Sequence, residues 1–408
     1  MVMDVRETPL WRNRDFVLLW AGEAISSLGT RIGVVAYPLV TLALTHSATV
    51  AGVLTFTGRV PWFLFTLPAG AVVDRINRRV IILVFDAAAC VSLLVAAAAL
   101  VLRIAPLPLL FVASFVEGTA FIFMQIAQPG ALRQIVTRTQ LPDAVAQADA
   151  RESAAALLGA PIGGALLTVG AALPFVADAA SYLFSFIGVG LIKKALQEEG
   201  SDKRSARMWS AIREGGRWLW QRRFLRTSFL LVGASNFFTN GLAFALVVIA
   251  RRRGASPTLI GAMLALLSLG GLAGAVAAPY LRRLSSPRLI VIGFNWIGVV
   301  AVLAMLAFLG EPLALGGLFA VMLFFGPVWN ATIDGYRIAI VPDRLQGRVS
   351  SVASLFSFAA IPLGPLLAGL LIDAAGGSAT IAAFGAWIAI VAVAGSLSRS
   401  LRESGPSR

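Results

Sequence analysis

In 408 residues the chain holds one cysteine, Cys90, and one histidine, His46. An intrachain disulfide is excluded, and so is any metal site assembled from Cys and His ligands. No metal and no other cofactor is expected. Charge is scarce too. Asp, Glu, Lys and Arg make up 13% of the residues, roughly half the share in ordinary soluble domains. That scarcity excludes a coiled coil, a disordered scaffold and a nucleic-acid-binding domain. A membrane-bound enzyme would need a clustered nucleophile, a metal set or an interfacial carboxylate pair; the sequence offers none, so no enzymatic activity is expected.

What the chain has in abundance is apolar surface: 58% of residues are hydrophobic and the mean hydropathy is +0.84. A bilayer core calls for about 20 apolar residues per helix. Runs of that kind lie near 16–44, 50–73, 80–102, 107–136, 150–170, 175–194, 227–250, 257–281, 288–310, 312–341, 350–373 and 379–398. The sequence therefore predicts an all-α membrane protein with twelve transmembrane helices. The first run is too long for a signal-peptide core and is expected to stay as a helix. His46, between the first two runs, reads as a loop residue, and Cys90 as a small packing residue.

The formal charge of +14 finds its place once the runs are laid out. With an even number of spans both termini share one side, and 28 of the 34 Lys/Arg fall there, Arg133, Arg138 and Arg151 among them. The positive-inside rule makes that side cytoplasmic. Arg251, Arg252 and Arg253 break the pattern locally and read as anchors to lipid phosphates, with an outward gate as the alternative. Residues 195–226 read as a cytoplasmic linker with an amphipathic helix at the membrane surface, between a six-helix bundle over 1–194 and another, with a short tail, over 227–408.

The halves repeat. A shift of 205 residues lays Gly159-Ala160-Pro161-Ile162-Gly163-Gly164 on Gly364-Pro365-Leu366-Leu367-Ala368-Gly369, and Ile135-Val136 on Ile340-Val341. Two six-helix repeats are a transporter plan with a central cavity and alternating access.

The segment Gly70 to Arg79, G-x-x-x-D-R-x-x-R-R, resembles the loop between helices 2 and 3 of the major facilitator superfamily. Leu10 to Phe16 with Trp20, Phe175 to Leu183, and Val341 to Val349 resemble its exporter branch, which contains macrolide efflux proteins and the enterobactin exporter. The resemblance covers essentially the whole chain. It implies the major facilitator fold, two pseudo-symmetric six-helix bundles, and a conformational latch of the outward-facing state at Asp74, Arg75, Arg78 and Arg79, with Asp74 meeting the end of helix 11. A plain positive-inside anchor is the simpler reading of that loop. Gly159 to Gly164 resembles the antiporter motif G-P-x-x-G-G, with the proline one place late at Pro161. Gly364-Pro365 keeps the family order. Gly159, Pro161, Gly163, Gly164, Gly364 and Pro365 are thus expected at helix crossings, where small residues permit close approach. The arginine often found in helix 4 of proton-coupled exporters is absent; Ser114 stands there if Gly118 is the motif glycine.

Ionisable residues inside spans are costly and usually functional. Glu23, Arg31, Arg59, Glu117 and Asp178 are candidates for coupling or for the substrate cavity; each also reads as a packing or structural group. Glu23 ranks first because Glu23, Ser27 and Thr30 share one helix face and a desolvated carboxylate responds to protons. Asp86 and Asp334 are expected in networks near the cytoplasmic surface. Phe121, Phe123, Met124, Phe237, Phe238 and Trp329 are candidates for a soft cavity wall. The expected function is efflux of hydrophobic or amphiphilic small molecules of the multidrug type by proton antiport across a bacterial inner membrane, by a monomer in contact with lipid and with no nucleic-acid partner. A dedicated siderophore or metabolite exporter is the alternative, and a lipid or uptake carrier a remoter one.

Overall fold

The computed structural model describes residues 9–197, 208–284, 287–342 and 345–398. Arg6, Asp343, Arg344, Arg399, Arg402, Arg408 and linker residues 198–207 lie outside them. The described residues contain helices and no strand. After a 3-10 turn at Leu10–Arg12 come α1 (Arg14–Thr45), α2 (Ala48–Arg75), α3 (Arg78–Leu102), α4 (Pro106–Ile135), α5 (Leu141–Val169) and α6 (Leu173–Leu191). Then follow α7 (Met208–Gln221), α8 (Arg223–Arg252), α9 (Pro257–Leu284), α10 (Pro287–Ala307), α11 (Pro312–Ile340), α12 (Gln346–Phe358) and α13 (Leu363–Leu397).

The helix ends follow from local chemistry. Proline opens α4, α9, α10 and α11, where its missing N–H costs nothing and its fixed φ suits the first turn. Asn77 caps α3 by accepting from the Arg79 N–H at 2.9 Å. His46 ends α1 in the left-handed region, φ 54°, with its N–H on the Leu42 carbonyl. As expected, it is a loop residue, and Cys90 is buried.

Ten helical stretches among the described residues are long and apolar enough to cross a membrane, and the chain is a multi-pass integral membrane protein. All twelve runs read from the sequence fall on helices. Helix α10 runs over the 21 residues Pro287–Ala307. The last two runs fall on either side of Gly376, whose φ of 82° is non-helical and breaks α13 between them. That backbone angle is one glycine tolerates without a Cβ clash.

The chain forms two compact units, residues 1–37 with 57–203, and 38–56 with 204–408. The first has an apolar core on Phe16, Leu19, Ile82, Phe123 and Ile192. Within the second, Asp373 of α13 accepts from the backbone N–H groups of Ala48 (3.1 Å) and Thr49 (2.8 Å) and from Ser47 Oγ (2.8 Å), so it caps α2. Arg252 forms an ion pair with Asp373 and donates to the His46 carbonyl at 3.3 Å. Its charge is therefore matched by protein, which corrects the reading of Arg252 as a lipid anchor. Helix α7 buries Gly215 and Leu219 and exposes Arg213, Glu214, Arg217 and Trp220, and Glu214 pairs with Arg348.

The 205-residue offset reappears in contacts. In the first unit, Gly159 of α5 lies so close to Arg31 of α1 that a Cβ there would sit 3.2 Å from the Arg31 Cα, and Gly163 meets Ile32 likewise. In the second unit, Gly364 of α13 meets Phe237 and Gly241 of α8. Ile32 and Phe237 are 205 residues apart, as are Gly159 and Gly364. Pro161 lies within α5 and is half-buried; Gly164 and Pro365 are buried. Gly52 packs on the Pro365 carbonyl within the second unit.

Candidate functional site

The buried carboxylates of the described residues, Glu23, Asp86, Glu117 and Asp178, all belong to the first unit. Two of them meet. Asp178 on α6 reaches the core because α1 presents Gly29 and Gly33 to it: a Cβ on Gly29 would collide with the Asp178 and Ser181 side chains, and one on Gly33 would stand 3.7 Å from Asp178 Oδ2. The Ser181 hydroxyl donates to the Asp178 carbonyl at 2.6 Å and lies 3.2 Å from Oδ1. The Tyr37 hydroxyl donates to Glu117 Oε2 at 2.9 Å, with its ring edge-on to Phe175 at 5.1 Å. Tyr182, 1% exposed, shares a hydrogen bond with Thr30 at 3.2 Å.

The carboxyl groups of Glu117 and Asp178 stand within hydrogen-bonding reach of each other. Asp178 Oδ2 is buried and receives no donor. Two ionised carboxylates cannot hydrogen-bond; a proton on one of them supplies the missing donor and removes a like-charge contact. Arg59, on α2, is exposed and makes no hydrogen bond among the described residues, but its charge acts on Glu117 and on Arg31. Gly58 beside it lies against Ser114, and Gly118 against Gly58, so α2 and α4 touch backbone to backbone there.

Glu23 sits elsewhere, and its setting differs from the expected lone desolvated carboxylate. It forms a buried ion pair with Arg151, both side chains about one-tenth exposed. Arg151 lies inside α5, which starts nine residues before the expected span. Glu23 is therefore not a lone carboxylate, its partner being the Arg151 guanidinium. Arg31 pairs with Glu152, Nε to Oε1 at 3.1 Å. Asp86 is fully buried, accepting from Ser185 Oγ at 2.8 Å; the surface network expected for it does not form. Asp334 pairs with Arg337 on its own helix at 3.1 Å.

At the G-x-x-x-D-R-x-x-R-R loop, Arg78 donates to the carbonyls of Gly130 (3.3 Å) and Leu196 (3.2 Å), and its own N–H goes to Gln197 Oε1 (3.1 Å). Arg79 donates to the carbonyls of Ile192 and Lys194, beyond the end of α6. Cations at a helix C-terminus satisfy its orphan carbonyls. Gly130 makes the room, since a Cβ there would stand 2.6 Å from Arg78 Nε. The Asp74 carboxylate is exposed and forms no ion pair among the described residues; its carbonyl accepts from Gln197 at 3.1 Å. Arg75 is exposed beside it.

Of the cavity-wall candidates, Phe123, Met124, Phe238 and Trp329 are buried in helix packing, Phe123 stacked on Phe85 at 4.4 Å and Trp329 edge-on to Phe294 at 4.8 Å. Phe121 and Phe237 are half-buried. Sequence reading missed Tyr37, Tyr182, Ser181, Arg151 and Glu152. One signal was available: the chain has four tyrosines, and Tyr182 follows Asp178 by one helical turn.

Many apolar spans, paired half-repeats and charges buried inside one unit define a multi-pass membrane transporter. The model of the transmembrane secretion effector family matches residues 7–404, and the chain belongs to that family of the major facilitator superfamily. It is 28% identical over 401 residues to the multidrug efflux pump Tap of Mycolicibacterium fortuitum, covering 92% of this chain and 93% of that one. To the pump of the same name from Mycobacterium tuberculosis H37Rv it is 29% identical, covering 91% and 90%. Among solved structures it resembles a bacterial homologue of the human lysosomal transporter Spinster, at TM-score 0.74 and 15% identity, covering 97% of this chain and 98% of that one. A bacterial homologue of the iron transporter ferroportin follows at TM-score 0.69 and 17% identity, covering 95% and 98%. At these identities the structures speak for the fold alone.

Proposed function

We propose that this protein exports hydrophobic or amphiphilic small molecules across a bacterial inner membrane, by alternating access and in exchange for protons. The two termini lie in the cytoplasm and the protein works as a monomer. The relatives named multidrug efflux pumps support export. The observation that carries proton exchange is the Glu117–Asp178 pair, whose buried Oδ2 lacks a donor until a proton arrives. A protonated pair is neutral and suits a low-dielectric site; a pair that has lost its proton leaves a charge that Arg59 offsets. Proton binding thus changes the charge of the first unit, which is what a coupled carrier needs to bias its two states.

Everted vesicles carrying the protein test this. Accumulation of amphiphilic dyes that collapses when the proton gradient is dissipated is the expected result; no gradient-dependent accumulation across a broad panel overturns it. One observation favours the second reading, a dedicated siderophore or metabolite exporter: the exposed guanidinium of Arg59 inside a span suits a substrate with an anionic group. Transport of anionic compounds only, lost in Arg59→Gln, selects that reading. The latch at Asp74, Arg75, Arg78 and Arg79 belongs to the same proposal. Asp74→Asn is expected to insert at the normal level and to transport several-fold more slowly; wild-type rates in a well-inserted variant reduce the loop to an anchor.

A further inference from the structure

The two ends of α8 treat their arginines differently. At the far end Arg252 is paired with Asp373. At the near end Arg222 and Arg223 are exposed, and neither forms an ion pair among the described residues. The same holds for Arg213 and Arg217 on α7, both exposed, and for the half-buried Arg226. The only acidic residue of α7, Glu214, is taken by Arg348. Since α8 is apolar and long enough to cross the membrane, the elbow between α7 and α8 stands where a span meets the headgroups, the level at which aromatic rings collect.

Two of these guanidiniums are held by rings. Arg222 lies over the Trp218 ring at 5.1 Å from its centroid, and Arg226 over Trp220 at 5.2 Å, both within cation–π range. Arg226 also donates to the Trp220 carbonyl at 3.5 Å. The rings are anchored in turn: Trp220 packs on Phe356 of α12 at 5.9 Å, and Phe224 stands edge-on to Tyr336 of α11 at 4.5 Å. An arginine already oriented loses less side-chain freedom when it binds. The apolar side of α7 is meanwhile spent on protein, because Leu219 is 1% exposed and a Cβ on Gly215 would stand 2.6 Å from the Arg348 carbonyl oxygen. What α7 leaves outside is Arg213, Arg217 and half of Trp220, so its hold on a bilayer is through charge and one ring.

Arginines without a counter-charge call for an anion, and a zwitterionic headgroup brings its own cation along with its phosphate. Basic clusters beside a membrane span select acidic lipids in this way. We propose that the elbow between α7 and α8 binds an anionic phospholipid such as phosphatidylglycerol, with the phosphate on Arg222, Arg223 and Arg226 and the chains starting beside Trp220. Neither export nor proton exchange enters this assignment.

The test titrates the full chain in neutral detergent with dioleoyl phosphatidylglycerol and with dioleoyl phosphatidylcholine, counting bound lipid by native mass spectrometry. Phosphatidylglycerol is expected to bind about tenfold more tightly or better, since each arginine near a membrane surface is worth about fivefold toward an anionic lipid. Arg222→Gln with Arg223→Gln should remove most of that preference. Arg282→Gln with Arg283→Gln takes the same charge from exposed positions at the end of α9, on the same side of the membrane, and should leave the preference in place. Trp220→Leu, which keeps every charge, should weaken phosphatidylglycerol about threefold by releasing Arg226. Wild-type unfolding temperatures in lipid-free detergent show that the variants are folded. Equal affinity of the wild-type chain for the two lipids overturns the proposal. So does an equal loss in the two double variants, which reduces the elbow to general surface charge. Binding of polyglutamate that depends on Arg222 and Arg223, with no lipid preference, also overturns it and assigns the elbow to an acidic protein segment.

Discussion

The same crossing is built twice and finished differently. In the first unit Arg31 and Glu152 form an ion pair beside the contact of Gly159 with α1. At the positions 205 residues later, Asn236 donates to the Ser357 carbonyl at 2.9 Å beside the contact of Gly364 with α8. The Glu23–Arg151 pair of the first unit becomes Ser228 and Phe356 at that offset, and Glu117 and Asp178 become Met322 and Ala383. The backbone approach is common to both copies, while buried carboxylates among the described residues occur in the first unit only. Helix crossings are therefore set by small residues, and the ionisable groups are additions to one copy. A charge in a bilayer is expensive, so their confinement to one unit points to a task that unit performs alone.

The widest separation between the two copies is expected from the carboxyl pair. Asp178→Asn and Glu117→Gln should each abolish gradient-driven transport in everted vesicles while the protein still inserts. Met322→Leu and a volume-matched change at Ala383 in the second unit, such as Ala383→Ser, should leave transport within about twofold, since near-isosteric changes cost little. Retained proton-driven transport in Asp178→Asn would move the coupling site away from this pair.

The buried ion pair comes next. Arg151→Ala leaves Glu23 charged and unmatched, and losses of about 3–5 kcal/mol follow from breaking such a pair. Replacing both, as Glu23→Gln with Arg151→Met, should restore most of the loss, because a buried pair is worth little against packed neutral residues. Phe356→Ala at the corresponding site tests packing only. Denaturant or thermal unfolding in detergent reads all three.

How far the sequence revealed this contrast depends on range. Helix positions and the repeat were legible because they are written in runs of apolar residues and in glycine spacing, both local patterns. Partnerships were least legible. Glu23 looked solitary because its partner Arg151 is 128 residues away in sequence, and the first turns of α5 are too polar to read as part of a span. Asp178 looked structural until Gly29 and Gly33 were seen to bring it against Glu117. Arg78 and Arg79 were legible as a cationic loop, but their targets, backbone carbonyls near the end of α6, carry no side-chain signature at all.

Overpacking the shared crossing gives a smaller effect and tests the part both copies have in common. Gly159→Val and Gly364→Val each force a branched side chain against backbone of the facing helix, and insertion of excess volume costs about 1–3 kcal/mol. Equal losses in the two variants, read by thermal unfolding, would show that the crossing is independent of the charges beside it. A much larger loss in Gly159→Val would mean that displacing Arg31 disturbs the ionisable cluster as well.

The smallest effect discriminates most finely. Arg31 and Glu152 are each about two-fifths exposed, and pairs so exposed to solvent are worth about 0–1 kcal/mol. Glu152→Ala should therefore barely change stability, just as Ser357→Ala should not, because Asn236 is held through the Ser357 carbonyl rather than its hydroxyl. The two copies then differ in transport alone. Arg31 repels Arg59 electrostatically, and removing Glu152 leaves the Arg31 charge unmatched beside it, which disfavours a second cation and draws anionic character into the site. Slower transport of cationic dyes in Glu152→Ala, with unchanged unfolding temperature and no such change in Ser357→Ala, would place the charge balance of the first unit, rather than its packing, in control of what the protein carries.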